Sequence, residues 1–356
     1  MKFINQIEPS IDENEVNHMT EYLQSGAWLT EFKKTSEFED MIAEYVGSKY
    51  CCVVSNGTVS LAIALWAIGV TEGDEVLVPN YTMIATPNVV KLVGAKPVLV
   101  DVDFNTLCMD LVEAKKAVTN KTKAIMVVSL NGRSPDMKAY QEFCKKYDLI
   151  LLEDSAQALG SFQDGKHLGT FGSIGSFSFS SPKIITTGQG GALVTDDEEL
   201  YNKIKKIKDF GREKCGTDWH DIIGYNFKFT DLQAVIGIEQ MKKLNYRVGR
   251  KKEIYNLYES ELKGVVEFIP TSNETAPWFV DIYVNEPDNL YKYLKENNIG
   301  SRLVYPPINN QKIYRNDEKY SVSQYYCTSG LWLPSSITIT DGEIKYICDI
   351  IKKYYN

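Results

Sequence analysis

The chain has 356 residues, 44% of them hydrophobic and 24% charged, proportions that supply a large buried core and exclude a disordered tail or a fibre. Lys and Arg number 39 against 47 Asp and Glu, a formal net charge of −8. That sign opposes general phosphate-backbone binding, so nucleic acid is not an expected partner. Residues 2–8 lack the apolar run of a signal peptide, and the longest uncharged apolar stretch, residues 61–70, is about half a membrane span. A cytoplasmic protein is therefore expected. The seven cysteines (51, 52, 108, 144, 215, 327 and 348) form no CxxC pair and are read as reduced packing residues. His18, His167 and His220 are too scattered to hold a metal.

In chain order, short β-rich runs at 51–55, 75–79, 97–101, 124–130 and 149–153 alternate with helix candidates beginning near Thr58, Thr82, Asp110 and Pro135. Apolar runs separated by helices are what a mostly parallel sheet covered on both faces requires, so the expected class is α/β. Functional groups should then sit at the carboxyl ends of the strands. A strand of alternating Ser and Phe, from Gly175 to Ser181, and another at 192–195 follow. Past about Lys243 the pattern changes to a charged helix at 247–262, hairpin-like apolar runs at 265–269 and 278–284, and helices at 287–297 and 341–355. The expectation is a large domain over 1–245 and a smaller α+β domain over 246–356, with the N-terminal residues able to pack on the latter.

Three segments suggest chemistry. Ser55-Asn56-Gly57-Thr58 closes a strand and opens a helix, where unpaired backbone N–H groups and the helix dipole can meet a phosphate, although the same residues also suit a plain helix cap. Leu151-Leu152-Glu153-Asp154 delivers a carboxylate to a strand end, with Gln157 one helical turn further on; Asp154 suits a ligand contact or a cap equally. Lys183 lies between a turn at Pro182 and Ile184-Ile185, ahead of the glycines of Gly188-Gln189-Gly190-Gly191. A lysine among small and apolar residues should lose part of its preference for the charged form, as a lysine that condenses with a carbonyl must.

Taken in order, these segments resemble the pyridoxal-phosphate enzymes of fold type I, specifically the DegT/StrS family of nucleotide-sugar aminotransferases. Gly26-Ala27-Trp28-Leu29-Thr30, Gly73-Asp74-Glu75-Val76, Gly94-Ala95-Lys96-Pro97, and Trp219-His220-Asp221 through Tyr225-Asn226 carry the likeness over nearly the whole chain. The resemblance implies catalytic roles for Lys183, which would hold pyridoxal 5′-phosphate and shuttle a proton, and for Asp154, which would pair with the pyridine nitrogen. It places Gln157 near the phenolic oxygen of the ring. Asn56, Gly57, Thr58 and Ser178 would hold the phosphate, with Asn226 reaching over from the second subunit of a homodimer. The implied reaction moves an amine from L-glutamate to the C4 keto group of a nucleotide-linked 4-keto-6-deoxyhexose, as in enzymes making viosamine or perosamine. The alternatives are amination at C3, a pyridoxal-dependent sugar dehydratase, whose relatives replace the lysine, and a non-catalytic regulatory member.

Departures from the family pattern fall mostly on the substrate side. Met83 stands where an aromatic ring covers the pyridine, with Tyr81 as the other candidate for that stacking. The family's His-Leu-Tyr-Gly is Ser129-Leu130-Asn131-Gly132, Gln189 replaces a Glu, and Asn309 replaces a His. Arg212, Lys228, Arg250 and Arg302 are candidates for the sugar pyrophosphate, because phosphates favour forked or point-charge donors. Thr30, Gln189, His220, Tyr305 and Asn309 are candidates for other substrate contacts. Gly160 to His167 nearly spells a P-loop, but His167 takes the place of the Ser or Thr that binds magnesium, so a turn is expected there.

Overall fold

The computed structural model describes residues 2–214 and 216–356. The first part runs α1 (Glu13–Gln24), α2 (Lys33–Val46), β1 (Tyr50–Val54), α3 (Gly57–Ala67), β2 (Glu75–Pro79), α4 (Ala85–Leu92), β3 (Lys96–Val100), α5 (Leu111–Ala117) and β4 (Thr122–Val128). It continues through α6 (Met137–Tyr147), β5 (Ile150–Asp154), β6 (Phe162–Gln163), β7 (Lys166–His167), β8 (Ile174–Ser178), β9 (Gly191–Thr195), α7 (Glu198–Lys208) and α8 (Asp231–Lys242). Seven strands make one sheet in the order β1-β9-β8-β5-β4-β2-β3. Only β9 is reversed, pairing antiparallel with both β1 and β8.

Burial on both faces follows from the strand sequences. In β2, Val76 and Val78 pack into a core with Leu61, Ile63 and Leu65 of α3. Leu77, between them, points the other way, into a core with Tyr140 and Cys144 of α6. Successive strand residues face opposite sides, so a run apolar at every position fills two cores at once.

The second part comprises α9 (Leu244–Leu262), β10 (Glu267–Phe268), β11 (Val280–Tyr283), α10 (Pro287–Glu296), β12 (Arg302–Leu303), α11 (Ser321–Ser329), β13 (Gly330–Leu333) and α12 (Asp341–Tyr355). Its four-stranded sheet is antiparallel throughout, in the order β10-β11-β13-β12. Leu244 and Val248 of α9 pack beside Val53 and Phe179 of the large sheet. Ile254, Tyr258 and Leu262, further along the same helix, join Ile282 and Leu331 of the small one. Ile4 packs in this second core, and its carbonyl accepts from Gly300 N at 2.7 Å.

The near-P-loop is a hairpin. Asp164 (φ 52°) and Gly165 (φ 74°) form the two-residue turn between β6 and β7, the backbone that a tight hairpin favours. His167 is buried, accepts from Gly160 N at 2.9 Å, and is pulled down to about 4 by burial. It stays neutral, as a core side chain should. Among the described residues, no helix is long and apolar enough to cross a membrane.

Candidate active site

Strand ends and one helix start converge on a cavity of about 390 Å³, a size suited to a small ligand. β5 ends at Asp154 and β8 at Ser178, while α3 starts at Gly57 directly after β1. Asn56 caps α3 by accepting from Val59 N at 2.9 Å. The amides of Gly57 and Thr58 precede any intrahelical partner, and both residues line the cavity. A Cβ on Gly57 would lie 2.8 Å from Ser178 Cβ, so glycine is what lets the helix start approach β8. An anion would find there two backbone donors, a hydroxyl and the positive helix end.

Asp154 is buried beneath the cavity. Its Oδ2 accepts from Thr86 Oγ1 at 2.8 Å and its Oδ1 from Ala156 N at 3.3 Å. Burial pushes its carboxyl upward, opposed by Thr86, Ala156 and the charge of Lys183. Lys183 follows a turn closed by its own N–H on Ser180 O at 3.0 Å. Its Nζ sits 3.8 Å from the centre of the Trp278 ring, and the indole Nε1 donates to Pro182 O at 2.7 Å. Burial lowers this ammonium to about 8, with Asp154 pulling the other way through space. The site therefore holds an amine that gives up its proton far more readily than an ordinary lysine, near a carboxylate that burial makes harder to ionise.

Of the residues singled out in the sequence, Asn56, Gly57, Thr58, Met83, Asp154, Gln157, Ser178, Lys183, Gln189, Arg302 and Tyr305 line this one cavity. Tyr81 does not. It is fully buried against Tyr326 and Tyr305, which corrects the expectation that it might stack on a ring in place of Met83. Arg250 is also elsewhere, bonded to Ile339 O at 2.7 Å and Asp341 at 2.8 Å between α9 and α12. Asn309 and Asn80 bond each other reciprocally at 2.9 Å, outside the lining. Thr30 is exposed, its carbonyl accepting from Asp231 N at 3.4 Å.

Arg212, His220, Asn226 and Lys228 lie in the segment between α7 and α8, outside the lining of this cavity. Arg212 and Lys228 both reach Asp209, at 3.4 and 2.8 Å, and His220 Nδ1 lies 2.9 Å from Phe210 O. Asn226 is exposed next to Tyr225. Two residues escaped the sequence reading. Thr86 looks like an ordinary residue of α4, 68 positions from its partner, and Trp278 reads as a strand hydrophobe. Neither carries a local signal; each matters only through what the fold sets against it.

A buried amine, a buried acid and a helix start suited to an anion share one α/β cavity, an arrangement able to condense with a carbonyl and to hold a phosphate. The sequence matches the DegT/DnrJ/EryC1/StrS aminotransferase family over residues 9–352. It is 36% identical to the GDP-perosamine synthase of Escherichia coli O157:H7 over the full length of both chains. It is 32% identical to the dTDP-3-amino-3,6-dideoxy-alpha-D-galactopyranose transaminase of Aneurinibacillus thermoaerophilus over 94% of each. Among solved structures, the PLP form of Spr1654 from Streptococcus pneumoniae superimposes with a TM-score of 0.92 at 27% identity, covering 99% of this chain and 98% of that one. The chain belongs to this family and is an aminotransferase.

Proposed function

We propose that this aminotransferase uses pyridoxal 5′-phosphate to move an amino group from L-glutamate to the C4 keto group of a nucleotide-linked 4-keto-6-deoxyhexose. The observation that carries the cofactor reading is Lys183, an amine lowered to about 8 beneath the Trp278 ring and opposite buried Asp154. The residues fit the group. The start of α3 with Ser178 would take the phosphate, Asp154 the ring nitrogen, and Gln157 the phenolic oxygen. Once bound, the cofactor supplies an electron sink for the carbon that gains or loses its proton.

The remaining work falls to the chain. Asp154 favours a protonated ring nitrogen, because a buried carboxylate is stabilised by a cation held against it. Lys183 Nζ would accept the proton from the donor's α-carbon and later return one to the sugar carbon. Trp278, whose ring centre lies 3.8 Å from Nζ, shields that amine from water. Gln189, Tyr305 and Arg302, which line the same cavity, are the candidates for contact with the sugar nucleotide.

Amination at C4 is favoured by the likeness to a GDP-perosamine synthase; the relative named for a 3-amino sugar supports the C3 alternative. The test is incubation with glutamate and a panel of UDP-, dTDP- and GDP-linked 4-keto-6-deoxyhexoses and their 3-keto isomers, with products assigned by mass and NMR. A 4-amino product is expected. A 3-amino product would move the site of amination, and no aminated product from any member would defeat the substrate reading.

A further inference from the structure

Asn131, just past the end of β4, takes no part in the chemistry proposed above, yet it is only 1% exposed. It adopts φ 52° and ψ 27°, a left-handed conformation that asparagine tolerates better than most side chains. Every polar group it owns is used. Its N–H donates to Gln157 Oε1 at 2.8 Å, and its carbonyl accepts from Trp278 N at 3.4 Å. Its Oδ1 accepts from Phe279 N at 3.3 Å, and its Nδ2 donates to Asp281 Oδ2 at 2.6 Å. Asp281 is itself fully buried, held by the Arg133 guanidinium and by Tyr326 OH at 3.1 Å.

Two cavity residues are thus oriented by one. An N–H can be met only by an oxygen lone pair, so the bond to Asn131 fixes which end of the Gln157 amide faces where. Oε1 is turned toward Asn131, and Nε2, which has no protein partner among the described residues, is left for the cavity. The same residue anchors the main chain of Trp278, whose ring covers Lys183 Nζ at 3.8 Å. The backbone N–H and carbonyl that meet Gln157 and Trp278 are held in place by the side-chain bonds to Phe279 N and Asp281; aspartate at 131 would set a carboxylate against Asp281, and glycine, free to leave this conformation, would lose both bonds and with them the anchorage of that backbone.

We propose that Asn131 is a positioning residue for the transamination: it presents the Gln157 N–H to an anionic oxygen on the cofactor ring and holds Trp278 over Lys183. This rests on the cofactor reading above. The test compares wild type with Asn131→Gly, alone and in a Gln157→Ala background, loaded with pyridoxal 5′-phosphate. Asn131→Gly is expected to shift the pH midpoint of the visible cofactor band by about half a unit or more, and to lower kcat about tenfold while KM for the sugar nucleotide stays within about twofold. In the Gln157→Ala background its effect on the midpoint should largely vanish, because coupled residues are non-additive.

A lowered Tm with unchanged midpoint and kcat would overturn the proposal and leave the cofactor reading standing. No visible band in wild type would sink the cofactor reading instead. Should Asn131→Gly fail to fold, a crystal structure of the wild-type holoenzyme decides: Gln157 Oε1 on Asn131 N with Nε2 on the phenolic oxygen is expected, and a Gln157 side chain swung away from Asn131 overturns it.

Discussion

Lys183 and Asp154 govern one titration between them. Below about 8 the amine is mostly protonated and cannot attack a carbonyl, so the rate at which the apoprotein takes up pyridoxal 5′-phosphate should rise with pH through that value and level off above it. Stopped-flow absorbance at a series of pH values measures this. Asp154 raises the lysine, so Asp154→Asn should move the midpoint to lower pH, whereas Trp278→Ala, by admitting water, should move it up. The same shift affects folding. Between about 8 and the ordinary 10.5, the unfolded chain holds a proton that the native lysine has released, so this group makes stability rise with pH in that window. Urea titrations of the apoprotein across the window should show Lys183→Met with a flatter rise than wild type.

At the start of α3 and the cap of α11 the prediction concerns backbone. Gly57→Ala would press a methyl group against Ser178, where 2.8 Å separates the positions, and push the helix start off β8. Affinity for pyridoxal 5′-phosphate should fall by about tenfold or more, because misplaced amide donors cannot all reach one phosphate; fluorescence titration of the apoprotein would show it. Asp101, at the end of β3, accepts from Val322 N at 3.0 Å and from Ser323 N and Oγ at 3.0 and 2.6 Å. This carboxylate caps α11 from across the molecule. Asp101→Ala should cost about 1–2 kcal/mol, measurable as a lower midpoint in urea. The helix-start signature at 55–58 was legible because a cap, a glycine and an apolar helix follow each other in the chain. The role of Asp101 was not, since its partners lie 221 and 222 residues away.

For the chain as a unit, we propose a division near residue 245, within α9, and a homodimer in which Asn226 completes the partner's phosphate site. Trp28, Trp219 and Ile223 are 64%, 77% and 82% exposed, and large apolar side chains bared to this extent suit a surface that another copy would cover. Trp219→Glu with Ile223→Lys should shift the sedimentation coefficient from dimer to monomer and weaken cofactor binding in parallel. A dimer that survives both substitutions would place the interface elsewhere.

Local pattern was enough for the class of fold and for most strands and helices of the large sheet, whereas Lys183, Asp154, Gln157 and the Asn56–Thr58 turn, each ambiguous by itself, were singled out by resemblance, and the fold sets them around one cavity. Strands as short as β12 and β13 have too few residues to announce anything. The reversal of β9, the burial of Tyr81, the diversion of Arg250 to Asp341, and the convergence of Thr86, Asn131 and Trp278 on the cavity were decided in three dimensions. Contacts between distant segments depend on which faces the packed sheets turn toward each other, and that information lies in no single stretch of sequence.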